Sequence, residues 1–455
     1  MKIVVCVRPD GGVLGPFDAA AYEEALRIPD AEVTLLSMGP LSSKDALHAL
    51  TRLGAARAIL LSDPAFAGSD TLATAYALAC ALNRLSPDLV LLGRQTLIGD
   101  TGQTGPMLAT LARLPLVTNV MKIESEGDAL SLTTRSEGEK RVSLPALLTL
   151  ERTCELRFPR LRSRLGDVLV WGEEDIGAKK EKCGLVGSPT RVLATQENEA
   201  GKRKCTFISR DQIPDIVNQA LQKQASGFGK LEKSADRLPL VISVGEAPKD
   251  MASTVCDNVI TLPLSDTDTL LTEIERLSPD AVLFGSDDAS KRIAACLAAH
   301  RSLGLCADCT SLDVEDGTLI MYRPARSGQI IAKIKSLTRP ALATVRTASA
   351  TEGNVIVTAG YGVKDSLPRV KEFADALGAR LHASRRMVDD GKMPYPAQVG
   401  LTGKTVAPPV YIAIGVSGAV HHIAGMSRAG TVIAINPDKD APIFEYADFG
   451  VLEEF

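Results

Sequence analysis

The stretch Ile414-Gly415-Val416-Ser417-Gly418-Ala419-Val420-His421-His422 carries several features suited to binding an anion. An apolar run ends at glycines that let a ligand approach the backbone, and Ser417 is placed to cap a following helix. Amides exposed at that helix start favour a pyrophosphate. A plain strand-to-helix turn would be spelled the same way, but His421 and His422 are two of only 5 histidines in the chain. No Cys or carboxylate stands nearby at ligand spacing, so no metal is expected. Ala383-Ser384-Arg385-Arg386 follows a strand-like run; its consecutive arginines point to different sides, so one can face inward. Gln398-Val399-Gly400-Leu401-Thr402-Gly403-Lys404-Thr405 is a polar, glycine-punctuated loop. Its glycines do not fit the P-loop pattern G-x-x-x-x-G-K-[ST], which excludes an ATPase of that type. Asn436-Pro437-Asp438 ends another apolar run, and Asp448 follows it.

A second glycine-rich loop runs Gly93-Arg94-Gln95-Thr96-Leu97-Ile98-Gly99-Asp100-Thr101-Gly102-Gln103-Thr104-Gly105, from an apolar strand to a helix with Pro106 in its first turn. Proline suits that position, and the preceding amides form a second phosphate cradle. Cys306-x-x-Cys309 has no partner pair at zinc spacing and reads as structural.

These loops need strands and helices to hold them. Apolar runs such as Met1–Val7, Glu32–Met38, Ala58–Leu61 and Asp88–Leu92 alternate with helical stretches such as Ala19–Arg27, Ser42–Leu53 and Thr71–Leu85. Continuous apolar strands alternating with helices predict a parallel sheet buried on both faces. Hairpins are expected over 128–153, and a charged arm over 152–235. The pattern then restarts: SPDLVLLG at 86–93 returns as SPDAVLFG at 278–285, PALLTLERT at 145–153 as PALATVRTA at 340–348, and Leu114-Pro115-Leu116 as Leu303-Gly304-Leu305. The offsets of 192, 195 and 189 keep the copies in register, which predicts two related α/β domains in tandem, the second lacking some early elements. The second copy's loop, Gly285-Ser286-Asp287-Asp288-Ala289, lacks the glycines, so one copy kept a nucleotide site and the other lost it. From about Gly353 a third, doubly wound unit begins, with ligands expected at the carboxyl ends of its strands. The expected domains are 1–236, 237–348 and 349–455.

Composition narrows the function classes. Lys plus Arg is 51 against 55 for Asp plus Glu, which argues against a nucleic-acid binder that works by neutralising phosphates. No apolar run is long enough for a transmembrane helix. The N-terminus reads as a buried strand and not as a signal peptide. The cysteines number 9, an odd count, and Cys6, Cys80, Cys256 and Cys296 sit in apolar runs, which fits a reduced, cytoplasmic compartment.

Residues 383–450 closely resemble the FAD domain of the electron transfer flavoprotein α subunit, and residues 238–348 resemble its first domain, including ADCTSL and RPALATVR. Residues 1–192 resemble the β subunit, in PFDAAAYEEALR, LLSMGP, FAGSDTLATAYALA, GRQTLIGDTGQTGP and CGLVGSPTRV. The resemblance implies a single-chain fusion, β-like half first, in an α/β fold: two tandem parallel-sheet domains forming a pseudo-dimer, then a doubly wound FAD domain. It implies that Arg385, after Ser384, lies beside the flavin ring. Thr402 bonds near N5, with Gln398, Gly400 and Gly403 in the same loop. Ser417, Gly418 and Ala419 cradle the pyrophosphate. His422 faces the C2 carbonyl edge, His421 stands where Gln is usual, and Asn436 and Asp448 hold the adenosine end. Phe17 approaches the ring from the β-like domain. A cation and an imidazole donor at the N1/C2 edge would stabilise the charge that reduction places there, making Arg385, Thr402 and His422 the chemically active set.

The β-like loop, through Gly93, Thr96, Asp100, Gln103 and Thr104, implies a second FAD or AMP. Gly99-Asp100-Thr101 leans toward family members with a second FAD, which oxidise NADH and bifurcate its electrons. Ile98 stands where Asp is usual and Gly15 where Asn is usual, and the hairpin before Pro16-Phe17 is missing. The resemblance implies partners such as acyl-CoA dehydrogenase or a quinone-linked flavoprotein, docking through Leu161 of RFPRLRS. The family's lysine-rich stretch after it is replaced by Gly166–Trp171. A flavin-free nucleotide-binding descendant is the remaining alternative.

Overall fold

A computed structural model describes the chain except residues 11, 97–98, 100, 127–128, 198–201, 224–232, 326–329, 347–352 and 401–402, and except the side chains of 125–126 and 223. The chain divides into two compact units. The first comprises 1–194, 234–323 and 333–345; the second comprises 195–233, 324–332 and 346–455.

The first unit contains both repeats. Among the described residues its larger sheet has nine strands, in the order Asp167–Trp171, Arg57–Leu61, Glu32–Met38, Lys2–Cys6, Leu89–Gly93, Ala146–Leu150, Leu116–Glu126, Ala129–Thr134 and Gly138–Ser143. The first seven run parallel and the last two antiparallel. The second repeat makes a five-stranded parallel sheet, in the order Val259–Leu262, Val241–Val244, Ala281–Phe284, Ala341–Val345 and Leu305–Cys309. This is the order of the first repeat's Glu32–Met38, Lys2–Cys6, Leu89–Gly93, Ala146–Leu150 and Leu116–Glu126, with no counterpart in this sheet of Arg57–Leu61, Asp167–Trp171, Ala129–Thr134 or Gly138–Ser143, as the shorter second copy predicts.

The backbone keeps the repeat's register as closely as the sequence does. Ser86 (φ 47°) and Ser278 (φ 49°) end equivalent helices in the left-handed region, as do Arg113 (φ 56°) and Ser302 (φ 54°). Both sheets carry the same bulge. Leu148 and Leu150 face Val117 and Val120, and Ala343 and Val345 face Cys306 and Cys309. At each bulge a left-handed residue donates its N–H to a threonine hydroxyl: Asn119 to Thr149 Oγ1 at 3.0 Å and Asp308 to Thr344 Oγ1 at 2.8 Å. Cys306 and Cys309 are buried in this strand, as their structural reading expects. Met107, Leu108 and Ala109 of helix Thr104–Ala112 share one apolar core with Ala294, Ala295, Leu297 and Ala298 of helix Asp288–Arg301, so the repeats form one body.

Three expectations need correction. Ala146–Leu150 does not continue a hairpin. It returns between Leu89–Gly93 and Leu116–Glu126 as a parallel strand, because all five of its residues are buried and need cover on both faces. The arm does not begin at 152: Asp167–Trp171 joins the first sheet's edge beside Arg57–Leu61. The segment after it is tied down by Asp70, which caps helix Thr71–Leu85 through Oδ1 and takes the Thr190 hydroxyl on Oδ2 at 2.6 Å. Finally, the hairpin expected to be missing survives in minimal form, Pro9–Asp10 pairing with Val13–Leu14.

Among the described residues the second unit has a sheet of six parallel strands, in the order Thr206–Phe207, Phe449–Val451, Thr431–Ile435, Val410–Ile414, Val355–Ala359 and Arg380–Ala383. The arm enters here. Thr206–Phe207 forms the edge strand, and Ile213 and Val217 of helix Ile213–Lys223 bury against Val355, Val357 and Val370. The structure therefore groups 195–233 with the last hundred residues, where the sequence reading put a boundary at 236.

Candidate functional site

In the second unit the chain lays down Val355–Ala359, steps to Arg380–Ala383 on one side, and then crosses to Val410–Ile414 on the other. That reversal opens a crevice at the carboxyl ends of the strands, where doubly wound sheets bind ligands. Gly415 (φ +63°) turns the chain there and packs on Val363. Gly418 (φ +92°) makes the next turn, and a Cβ on it would lie 2.2 Å from the Ile443 nitrogen. Helix Val420–Met426 starts after Ala419, which caps it with no side chain. Ser417 was expected to be that cap. It is instead exposed, because the left-handed Gly418 intervenes, and its carbonyl accepts from Ile443 N–H at 3.2 Å. Ser417 and Ala419 thus stay open at the crevice.

The neighbouring strand end supplies cations. Ser384 precedes helix Arg385–Asp389, and its N–H donates to Ala359 O at 2.9 Å. Arg385 reaches Asp389 at 3.2 Å, while the Arg386 guanidinium stacks 3.8 Å from the Tyr361 ring centre. Gln398 is fully buried, and its carbonyl accepts from Lys404 N–H at 2.8 Å. Gly403 N–H donates to Gly400 O at 3.1 Å, closing the loop. Thr402 lies outside the described residues. A Cβ on Gly400 would stand 2.9 Å from His421 O, so this loop packs on the His421-His422 turn.

Burial lowers the His421 pKa, and the charges of Arg385 and Arg346 lower it further. Burial takes the His422 imidazole down to about 4, against a smaller opposing effect of the Val399 backbone. His422 is therefore neutral near pH 7. Its Nε2 lies 2.9 Å from the Tyr411 hydroxyl, and its buried Nδ1 makes no well-formed hydrogen bond among the described residues. A buried imidazole nitrogen without a well-formed partner, beside a cationic crevice, fits a bound ligand with a carbonyl edge.

Asn436 is close by, but its amide is committed: Nδ2 donates to Val416 O at 2.9 Å and Oδ1 accepts from Asp438 N–H at 2.9 Å. Asp448 is not brought to this group. It precedes strand Phe449–Val451, so it sits at the amino edge of the sheet, accepting from Val432 N–H at 2.8 Å and pairing with Arg203. The sequence reading missed Arg346, which is buried and donates to Thr405 Oγ1 at 3.2 Å. It also missed Arg428, whose pKa burial lowers. Arg346 falls within the repeated PALATVRTA, the one signal that could have drawn attention to it.

The first unit has its own switch point, between Lys2–Cys6 and Leu89–Gly93. Gly93 begins the second loop here. Arg94 folds back onto Glu151 at 3.0 Å, Arg135 meets the same oxygen at 3.1 Å, and Arg94 lies 5.2 Å from the buried Phe17 ring centre. This Arg-Glu-Arg cluster was not anticipated, because its members are far apart in sequence. Thr96 Oγ1 accepts from Gly99 N–H at 3.3 Å, and Arg323 of the second repeat donates to Gly99 O at 3.0 Å. Asp100 lies outside the described residues. Gln103 precedes helix Thr104–Ala112, and both ends of its buried amide are without partners among the described residues. In the second repeat Asp287 caps the longer counterpart helix, accepting from Ser290 N–H at 3.0 Å. A carboxylate there repels an anion.

Outside both crevices, Phe158 and Leu161 are 93% and 97% exposed among Arg157, Arg160, Arg162 and Arg164. No described helix is long and apolar enough to cross a membrane.

Comparison with known families matches the electron transfer flavoprotein domain over residues 3–159 and 257–363, and the electron transfer flavoprotein FAD-binding domain over 349–427. Similar proteins include protein FixA of Azorhizobium caulinodans, 38% identical, the match covering 46% of this chain and 88% of that protein. The electron transfer flavoprotein subunit beta of Clostridium acetobutylicum is 40% identical over 41% of this chain and 76% of its own. The subunit alpha of Thermoanaerobacterium thermosaccharolyticum is 36% identical over 38% of this chain and 67% of its own.

Proposed function

The chain belongs to the electron transfer flavoprotein family, and from that premise we propose that it carries electrons from flavin dehydrogenases, such as an acyl-CoA dehydrogenase, to a quinone-linked flavoprotein. One polypeptide does the work of two subunits: 1–236 is β-like, 237–348 is a reduced α-like first domain, and 349–455 holds FAD. Relatives named as alpha and as beta subunits each match under half of this chain, which supports the fusion. The observation that carries the reading is the convergence of Arg385, Arg346 and the His421-His422 turn on one crevice inside the unit that contains the FAD-binding match.

Bound FAD supplies the redox chemistry. The Ser417–Ala419 turn receives the pyrophosphate, while Gln398, Gly400 and Gly403 shape the loop that carries Thr402. Arg385 and Arg346 provide positive charge. With the Tyr411 hydroxyl donating to Nε2, the neutral His422 imidazole holds its proton on Nδ1 and donates it to a carbonyl edge as a dipole, not as a cation. Leu161, exposed with Phe158 in an arginine-rich loop, docks the partner.

The loop Gly93–Thr104 holds a second nucleotide, FAD or AMP; the unpaired Gln103 amide supports it. Purified protein tests both statements. It should be yellow and be reduced by an acyl-CoA dehydrogenase with its substrate. Its extract should contain two FAD, or one FAD and one AMP, per chain. Anaerobic bleaching by NADH would make the chain an NADH-oxidising bifurcating enzyme instead of a simple carrier. Colourless protein that takes up no added FAD would overturn the proposal.

A further inference from the structure

The first unit contains a cavity that both repeats line. Arg94, Thr101 and Asn119 bound it from the first repeat, and Lys291, Arg292 and Asp308 from the second. Lys291 comes from the first turn of helix Asp288–Arg301, the counterpart of the helix that the loop Gly93–Thr104 feeds. Its Nζ lies 2.8 Å from Asp308 Oδ1 and 3.0 Å from Oδ2.

The two partners differ in freedom. Asp308 is fixed: its backbone is left-handed at φ 56°, its N–H is bonded to Thr344, and its side chain is buried. Lys291 ends a flexible four-carbon stem and can trade one anion for another. The first repeat's equivalent of Asp308 is Asn119, held at its bulge in the same way but neutral. The cavity therefore has a movable cation on the second repeat's side, and Arg94, Thr101 and Gly102 of the glycine loop on the first repeat's side.

We infer that Lys291 is the second repeat's phosphate contact for the nucleotide held by the first, and that Asp308 is the counter-ion it leaves when the phosphate arrives. This rests on the reading that the loop Gly93–Thr104 takes a nucleotide. The Lys291 and Asp308 side chains are 22% and 8% exposed, so exchanging the carboxylate for a phosphate dianion requires the phosphate to offset the cost of leaving a largely buried carboxylate without its lysine. The exchange is tipped by whichever anion is the stronger acceptor. The nucleotide site is thus composite: without the second repeat it lacks one of its cations.

The test is equilibrium binding of AMP and of adenosine to full-length protein freed of its own nucleotide in the first unit. Lys291→Gln should weaken AMP by about tenfold, the value of one charge-assisted hydrogen bond, and leave adenosine within about twofold. Asp308→Asn should tighten AMP, because a carboxylate no longer competes for the lysine. A merely structural ion pair predicts that both variants lose AMP and adenosine together; that result, or Lys291→Gln binding AMP as the wild type does, overturns the inference. Wild-type protein that binds neither AMP nor FAD in the first unit overturns the underlying nucleotide reading instead.

Discussion

Asp18 is a buried carboxyl at the switch point of the first unit, and its ionisation should set the pH dependence of that unit's stability. It lies in the first turn of helix Pro16–Arg27, and its Oδ2 accepts from Arg8 N–H at 2.9 Å. Its Oδ1 is so close to Gly93 that a Cβ there would stand 2.4 Å away. Burial disfavours the carboxylate, whereas the Arg8 and Gly93 amides and the Arg8 charge favour it; burial wins and pushes the pKa up to about 7. The unfolded value is 3.8. Between these values the folded chain holds a proton that the unfolded chain has released. The contribution is therefore fully present below about pH 4 and is lost as the pH rises through about 7. A tenfold difference in proton affinity between the folded and unfolded chains is about 1.4 kcal/mol, so the loss amounts to about 4 kcal/mol. Asp18→Asn has the same shape and does not titrate. Urea unfolding can be followed by the fluorescence of Trp171, the only tryptophan, which lies on the first unit's edge strand. From about pH 4 to about pH 8 the wild type should lose about 4 kcal/mol relative to the variant. Parallel pH profiles would show that the two amides hold the carboxylate charged, and would refute the reasoning.

His422 should behave in the opposite sense. Its pKa falls from 6.5 to about 4 on folding, so wild type should lose up to about 3 kcal/mol relative to His422→Asn as the pH falls through that window; denaturant melts at several pH values check it. Arg385→Ala should lower the midpoint potential of bound FAD by on the order of 60 mV, a tenfold loss of preference for one added electron. A redox titration that coincides with the wild type's would remove Arg385 from that role. Gly418→Ala places a methyl 2.2 Å from the Ile443 nitrogen in a left-handed turn. The expected product is a folded chain with little FAD, measured by the ratio of visible to ultraviolet absorbance; full occupancy would show that the turn is not the cradle.

The repeat could be read without coordinates because its strands are buried on both faces. Burial of that kind demands unbroken apolar runs, and SPDLVLLG and SPDAVLFG are two such runs with the same helix ending before them. The glycines of the 415–418 turn were legible for a related reason: only backbone requirements explain them there. The sequence was less informative about direction. Asp448 looked like part of the nucleotide site until its place at the amino edge of a parallel strand became clear. Ser417 looked like a helix cap until the left-handed Gly418 displaced the helix start.

Local pattern alone determined the tandem α/β repeats, the doubly wound last unit and the two glycine-rich loops, because each follows from contacts a few residues apart. Tertiary structure decided which charges meet. Glu151 between Arg94 and Arg135, Lys291 on Asp308, Asp18 beneath Gly93 and Arg346 near His421 join residues 16 or more positions apart. Whether a side chain is charged, neutral or open to a ligand depends on that company and on burial, and neither is spelled out along the chain.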